Sequence, residues 1–265
     1  MGQRSATPKS YYFSGQGRVA VADRDAVTGK AGSFRYLGNV TELTISVANT
    51  KQEHKESMTG NRGVDETIIK EIKPTVKFKT ESVGVENLSM GLYGTSSVDA
   101  GGPVTAEVHK YSALGTFIPL TNPNVSAVVV KVGDTEAAQA TPAVLNVDYT
   151  IDTDFGCIYP ITGSTVLTVG KFVSVAYTST GVQRMDALTV ATPKEKVIRF
   201  EGLNTVNGDM SLVEMFRCKL EPIAAFSLIN DDFANVDFTG NLLLDDTKPV
   251  TSQYWSQRIW KPVGA

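Results

Sequence analysis

A two-residue hydrophobic period recurs along this chain and leaves few folds open to it. Glu42, Leu43, Thr44, Ile45, Ser46 and Val47 alternate polar and apolar side chains. Thr75-Val76-Lys77-Phe78-Lys79 does the same, as do Met210-Ser211-Leu212, Phe216-Arg217-Cys218-Lys219-Leu220 and Val236-Asp237-Phe238-Thr239. Successive strand residues point to opposite faces, so each stretch offers one face to a core and one to water or a wet partner. Residues 127–132 and 172–177 are β-branched-rich and bounded by glycine, and 197–200 is a shorter run of the same kind; these too read as strands. The pattern predicts a mainly β protein, and 265 residues suffice for a substantial core.

Helical signal is scarce. Over residues 82–93, Val85, Leu88 and Leu92 fall on one stripe, with Ser82 placed to cap the start and Gly94 to end it. Gly84 and Gly91 weaken that helix by about 1 kcal/mol each. A second short helix is expected over residues 223–231. Residues 49–65 lie between two strands, hold almost no apolar side chain, and read as a long loop of the sort usually tied to function.

Punctuation divides the chain further. Pro119, Asn122-Pro123 and Gly181 bracket residues 120–180 as an inserted all-β unit, acidic in balance, with Lys131 and Lys171 against Asp134, Glu136, Asp148, Asp152 and Asp154. The expected organisation is an N-terminal arm (1–17), a discontinuous β domain (18–119 and 181–246) and a C-terminal arm (247–265). Both tryptophans, Trp255 and Trp260, sit in that last arm beside Tyr254 and Ile259. Large aromatics anchor protein contacts, so the arm should dock either on its own subunit or on a neighbour.

Charge and chemistry narrow the function. Lys and Arg total 25 and Asp and Glu 28, a net charge of -3 that argues against a polybasic nucleic-acid binder. Residues 1–80 carry 13 basic and 8 acidic side chains and the remainder 12 and 20. That asymmetry suits a protein whose one end meets the other end of a copy. No apolar run approaches the roughly 20 residues of a membrane span, and the polar start lacks a secretory core, so cytoplasmic synthesis is expected. Cys157 and Cys218 form no framework or metal spacing. His54 and His109 have no companion ligands at zinc spacing and read as solvated residues. Gly15-Gln16-Gly17-Arg18-Val19-Ala20 fits a loose dinucleotide pattern, yet Val19-Ala20-Val21-Ala22 favours strand where that site needs a helix. Its glycines are expected to free the joint where the arm enters the sheet. Asp231-Asp232, Asp245-Asp246 and Asp152-Thr153-Asp154-Phe155-Gly156 read as turn chemistry rather than as a catalytic pair or a calcium loop. No catalytic set, cofactor or metal is expected.

Several stretches, taken in order, resemble the major tail tube proteins of long, non-contractile bacteriophage tails. They are residues 36–46 (YLGNVTELTIS) with the polar segment holding Glu53-His54, Ser57 and Thr59-Gly60; Lys77-Phe78 leading to Glu86-Asn87-Leu88; residues 199–204 (RFEGLN) with Asn207-Gly208; and residues 213–222 with 226–245. Val147-Asp148-Tyr149-Thr150 and Gly156 are similar to an add-on domain seen in such proteins. The resemblance spans most of residues 18–246.

It implies a β-sandwich or barrel-like subunit with one flanking helix, forming hexameric rings that stack into a virion tail assembled in the host cytoplasm. It implies partners too: copies of itself, and tape measure and terminator or tip proteins, with DNA passing through the lumen without specific binding and no membrane involved. The matching inter-ring loop carries Lys51, Glu53, Lys55, Glu56, Arg62 and Asp65. A conduit should not hold DNA, because each cation that neutralises a phosphate adds salt-dependent binding. The polar strand faces with Glu42, Thr44, Ser46, Asp237, Thr239 and Asn241 are the candidate lumen residues. Lys77, Lys79, Arg217 and Lys219 should lie elsewhere or beside acids, and the insertion should decorate the exterior. The alternative reading is a β-sandwich binding module or adhesin domain for a carbohydrate or receptor, which predicts exposed aromatics on folded loops.

Overall fold

The alternating stretches fold as antiparallel strands in a computed structural model that describes residues 12–58 and 60–262. The chain is mainly β, with 54% strand against 3% helix. It divides into two compact units, one formed by residues 1–96 with 185–265 and the other by 97–184.

The first unit is built on one large sheet. Its strands are β1 (Gly15–Asp23), β2 (Arg35–Tyr36), β3 (Val40–Lys55) and β4 (Val64–Thr80), then, after the second unit, β12 (Lys196–Asn204), β13 (Met210–Leu220), β14 (Val236–Leu242) and β15 (Trp255–Trp260). The order is β2-β1-β12-β13-β14-β4-β3. β15 pairs with residues 210–215 of β13 and β14 with residues 218–220, so the two lie end to end along one edge of that strand. The apolar members of each alternation meet on one side, where Val19, Val76, Ile198, Met215, Val236 and Phe238 are nearly solvent-free. Phe78 stacks on Phe238 at 4.7 Å between ring centroids.

The helix α1 covers Val85–Gly91, shorter at both ends than the expected 82–93. Ser82 does not cap it: Gly84 takes that position, and the Ser82 hydroxyl instead accepts a hydrogen bond from the Asn39 amide. Gly91 is in the helix for closeness. A Cβ there would stand 2.8 Å from Ile223 and 3.0 Å from Phe238, so only glycine lets α1 approach the sheet this near. Asn87 fastens the other side, donating to the Leu37 and Ser82 carbonyl oxygens while accepting from Arg35. The second helix expected over residues 223–231 is absent: Ile223 turns into the core and the chain continues as an irregular loop.

The second unit comprises a four-stranded sheet, β5 (Thr95–Lys110), β11 (Phe172–Asp186), β7 (Val125–Gly133) and β8 (Thr141–Pro142) in that order, and a three-stranded sheet of β6 (Ile118–Pro119), β10 (Cys157–Pro160) and β9 (Tyr149–Asp152). Val130, Val132, Val173, Val175, Ile158 and Tyr149 form its own core. Its limits are wider than the expected 120–180. Tyr111 and Ile118 belong to that core and Val104 packs against it, so the segment before residue 120 cannot be separated from the unit.

Candidate assembly surface

The expected loop over residues 49–65 is mostly strand. β3 and β4 stay paired through Lys55 and Val64, leaving only residues 56–63 as the turn. Residues 47–55 and 64–73 are all exposed, so the hairpin projects beyond the core. Lys51, Glu53 and Lys55 lie on β3, Asp65 on β4, and Glu56 and Arg62 in the turn. His54 and Asp65 bond across the hairpin at 2.6 Å.

The register shows what this hairpin carries. Ile45 faces Val76 and Val47 faces Pro74 on the core side of the two strands; beyond them Asn49 faces Ile72 and Lys51 faces Ile69. Lys70 has no partner, and this one-residue bulge keeps Ile69 in phase with Ile72. The core-facing apolar row therefore runs off the end of the core onto the projection, where Val47, Ile72 and Ile69 are 55%, 54% and 55% exposed. Lys51 and Glu53 share that face. A two-stranded ribbon is marginally stable by itself in water.

The six candidate lumen residues are brought together on the other face. Glu42 and Asp237 flank Lys79, Thr44 and Thr239 flank Lys77, and Ser46 and Asn241 flank Thr75, in three cross-strand rows. The two lysines thus sit inside the candidate face. Lys79 is offset by an acid on each side, as a neutral face requires, whereas Lys77 lies between two threonines. Lys219 is opposite Asn241, whose amide donates to Glu221.

The C-terminal arm docks on its own subunit as β15. Tyr254 and Trp255 pack against the core, while Ile259 and Trp260 remain exposed. The N-terminal arm falls largely outside the described residues; of it, Gly15 to Gly17 already belong to β1. Gly17 faces Gly202 across β1 and β12, and a Cβ on either would strike the Phe200 ring, so these glycines allow close strand approach rather than a joint.

An ionic cluster that sequence reading missed ties this unit's loops together. The buried Arg24 guanidinium donates to Asp245 at 2.8 Å and to Glu195 at 3.4 Å, and Arg217 binds both Glu195 oxygens at 2.8 Å. The Arg217 bonds hold the Glu195 carboxyl below its ordinary range. Burial raises that of Asp245, but bonds from Arg24 and Thr247 outweigh it and leave it low. In the second unit, Glu107 accepts from Tyr177, Thr121 and His109; burial pushes it up and these bonds pull it further down. Asp152 accepts from the Asp154 and Phe155 amides and Asp245 from that of Thr247, the turn chemistry expected of them.

Neither histidine belongs to a ligand cluster; among the described residues no group of three or more His, Cys, Asp or Glu is placed to hold a metal. Burial pushes the Cys218 thiol up to about 12, which keeps it protonated and inert. No helix is long and apolar enough to cross a membrane among the described residues. Comparison with known families gives a match over residues 12–258 to one described as "Protein of unknown function UCP028589". No curated protein matches.

Proposed function

The chain belongs to that family of unknown function, and from its surfaces we propose that it is a structural subunit of a bacteriophage tail tube, forming stacked six-membered rings whose lumen conducts DNA during genome ejection. One observation carries the reading: the apolar row of β3 and β4 continues past the core onto a projecting hairpin, exposing Val47, Ile69 and Ile72. Covering three half-exposed aliphatic side chains contributes about 1 kcal/mol each, and a neighbouring copy would also support a ribbon that is marginal alone. The resemblance of residues 36–46 and the following segment to tail tube proteins points the same way, because there the matching element reaches the next ring. On that face Lys79 lies between Glu42 and Asp237, and Lys77 lies between two threonines; the mixed charge suits a bore that DNA slides past more than a wholly cationic row would. The tail would be the site of function, with tape measure and terminator or tip proteins as further partners. Negative-stain microscopy of concentrated protein tests the reading: rings or tubes are expected, and a strictly monomeric product rejects it.

A binding-module reading finds one supporting observation in the second unit. Phe117 and Tyr159 are both exposed with ring centroids 5.6 Å apart, and such a pair offers a platform for a sugar ring. Retention on a glycan array, lost in Tyr159→Ala, would favour it.

A further inference from the structure

The first unit has a second projecting apolar feature, unrelated to the hairpin. Between β13 and β14 the chain runs without regular structure, anchored by Phe226 against the core. Beyond that anchor, Leu228, Ile229 and Phe233 are 82%, 95% and 87% exposed. Asp231 and Asp232 stand beside them, so the loop tip is both apolar and acidic. Burying side chains of this size is strongly favourable.

The same unit has a recess of matching character on the solvent side of its sheet. Gln16, Leu203, Met210 and Trp260 form one cross-strand row over β1, β12, β13 and β15; Arg18, Glu201, Leu212 and Arg258 form the next. Leu203, Met210, Leu212 and Trp260 line a pocket of about 350 Å³, and the backbone of Gly17 and Gly202 forms part of its floor. That volume lies at the small end of ligand-sized cavities, suited to one or two side chains rather than a folded element. The rim is cationic. Arg18, Arg199 and Arg258 alternate with Glu201 and Glu214 in a ladder in which Arg18 lies 3.7 Å from Glu201, Arg199 lies 2.8 Å from Glu201 and 3.1 Å from Glu214, and Arg258 pairs with Glu214. Three arginines face two glutamates, and Arg18 and Arg258 are largely exposed.

We propose that Phe233 of one copy seats in the Trp260 pocket of a second copy, with Asp231 and Asp232 against Arg18 and Arg258. The charges select the occupant: the acidic, apolar tip complements the cationic, apolar recess, and both are carried by this chain. Aromatic side chains in small desolvated pockets dominate interface energies, and tryptophan and arginine are the usual walls. Because tip and pocket are different surfaces, the contact is head-to-tail, the kind that closes a ring where its rotation closes. It uses surfaces separate from the hairpin assigned to stacking, and it rests on the self-assembly reading.

Mixing full-length Phe233→Cys protein with full-length Leu203→Cys protein under mild oxidation tests it, with microscopy of the same samples. A disulfide-linked dimer is expected in the mixture and not in either variant alone. Phe233→Ser should keep the wild-type melting temperature and weaken self-association by about tenfold or more in sedimentation. Mixtures that assemble without cross-linking, or a Phe233→Ser protein that assembles at wild-type concentration, overturn this contact and leave self-assembly standing. A wild-type chain that never assembles removes both.

Discussion

Arg24 and Asp245 meet at 2.8 Å with neither side chain open to solvent, joining the start of the β1–β2 connection to the segment between β14 and β15. Removing one member of a buried pair leaves the other charged and uncompensated. Arg24→Ala should cost about 3–5 kcal/mol in denaturant unfolding. A variant replacing both residues with apolar ones of similar volume should recover much of that loss, which a double-mutant cycle will measure.

Acid should reach the same cluster. Asp245 and Glu195 are held below their ordinary values in the folded chain. A carboxyl depressed by folding contributes stability that is complete above its unfolded value, about 4, and is lost as pH falls through its folded value. Stability should therefore be flat near neutrality and fall below about pH 4. Glu195→Gln should shallow that slope in acid unfolding titrations.

Glu107 makes the equivalent prediction for the second unit. Tyr177→Phe removes one donor to a partly buried carboxylate and should cost roughly 1.5–3 kcal/mol by thermal or denaturant unfolding. Tube or ring formation should persist if residues 97–184 decorate an exterior. Lost assembly in a still-folded Tyr177→Phe protein would place this unit in the ring contact.

The projecting hairpin should separate folding from association. Ile69→Asp and Ile72→Asp replace exposed side chains, so monomer stability should change by about 0.5 kcal/mol or less. Assembly by light scattering should be abolished. A large drop in melting temperature would instead show that the ribbon is structural within the subunit.

The candidate conduit face should respond to charge. Glu42→Lys with Asp237→Lys removes both acids beside Lys79. The assembled variant should retain DNA in a gel-shift assay at low salt and release it steeply as salt rises, whereas the wild-type assembly should not retain it.

Strand positions were legible wherever one face is buried, because burial imposes a two-residue period: Val76 and Phe78, Ile198 and Phe200, Val236 and Phe238 all obey it. The hairpin was not, since its pairing continues where neither face is buried and polar side chains leave no period to read. Nor was the true start of the second unit. Pro119 and Asn122-Pro123 read as its boundary, yet Tyr111 and Ile118 before them belong to its core. The six candidate conduit residues emerged together because they share one face of paired strands, but their intervening lysines depend on register, which alternation alone does not set. Arg24 with Asp245 lies 221 positions apart along the chain, beyond any local signal.

The unpaired Lys70 sets a rule for how the projecting ribbon can vary in length. Adding or deleting a single paired residue between Ile69 and Ile72, with the bulge kept, would rotate Ile69 to the opposite side of the ribbon. Natural or engineered relatives should therefore lengthen this ribbon by matched pairs, or carry a compensating kink elsewhere, and parity becomes a heritable property of the joint.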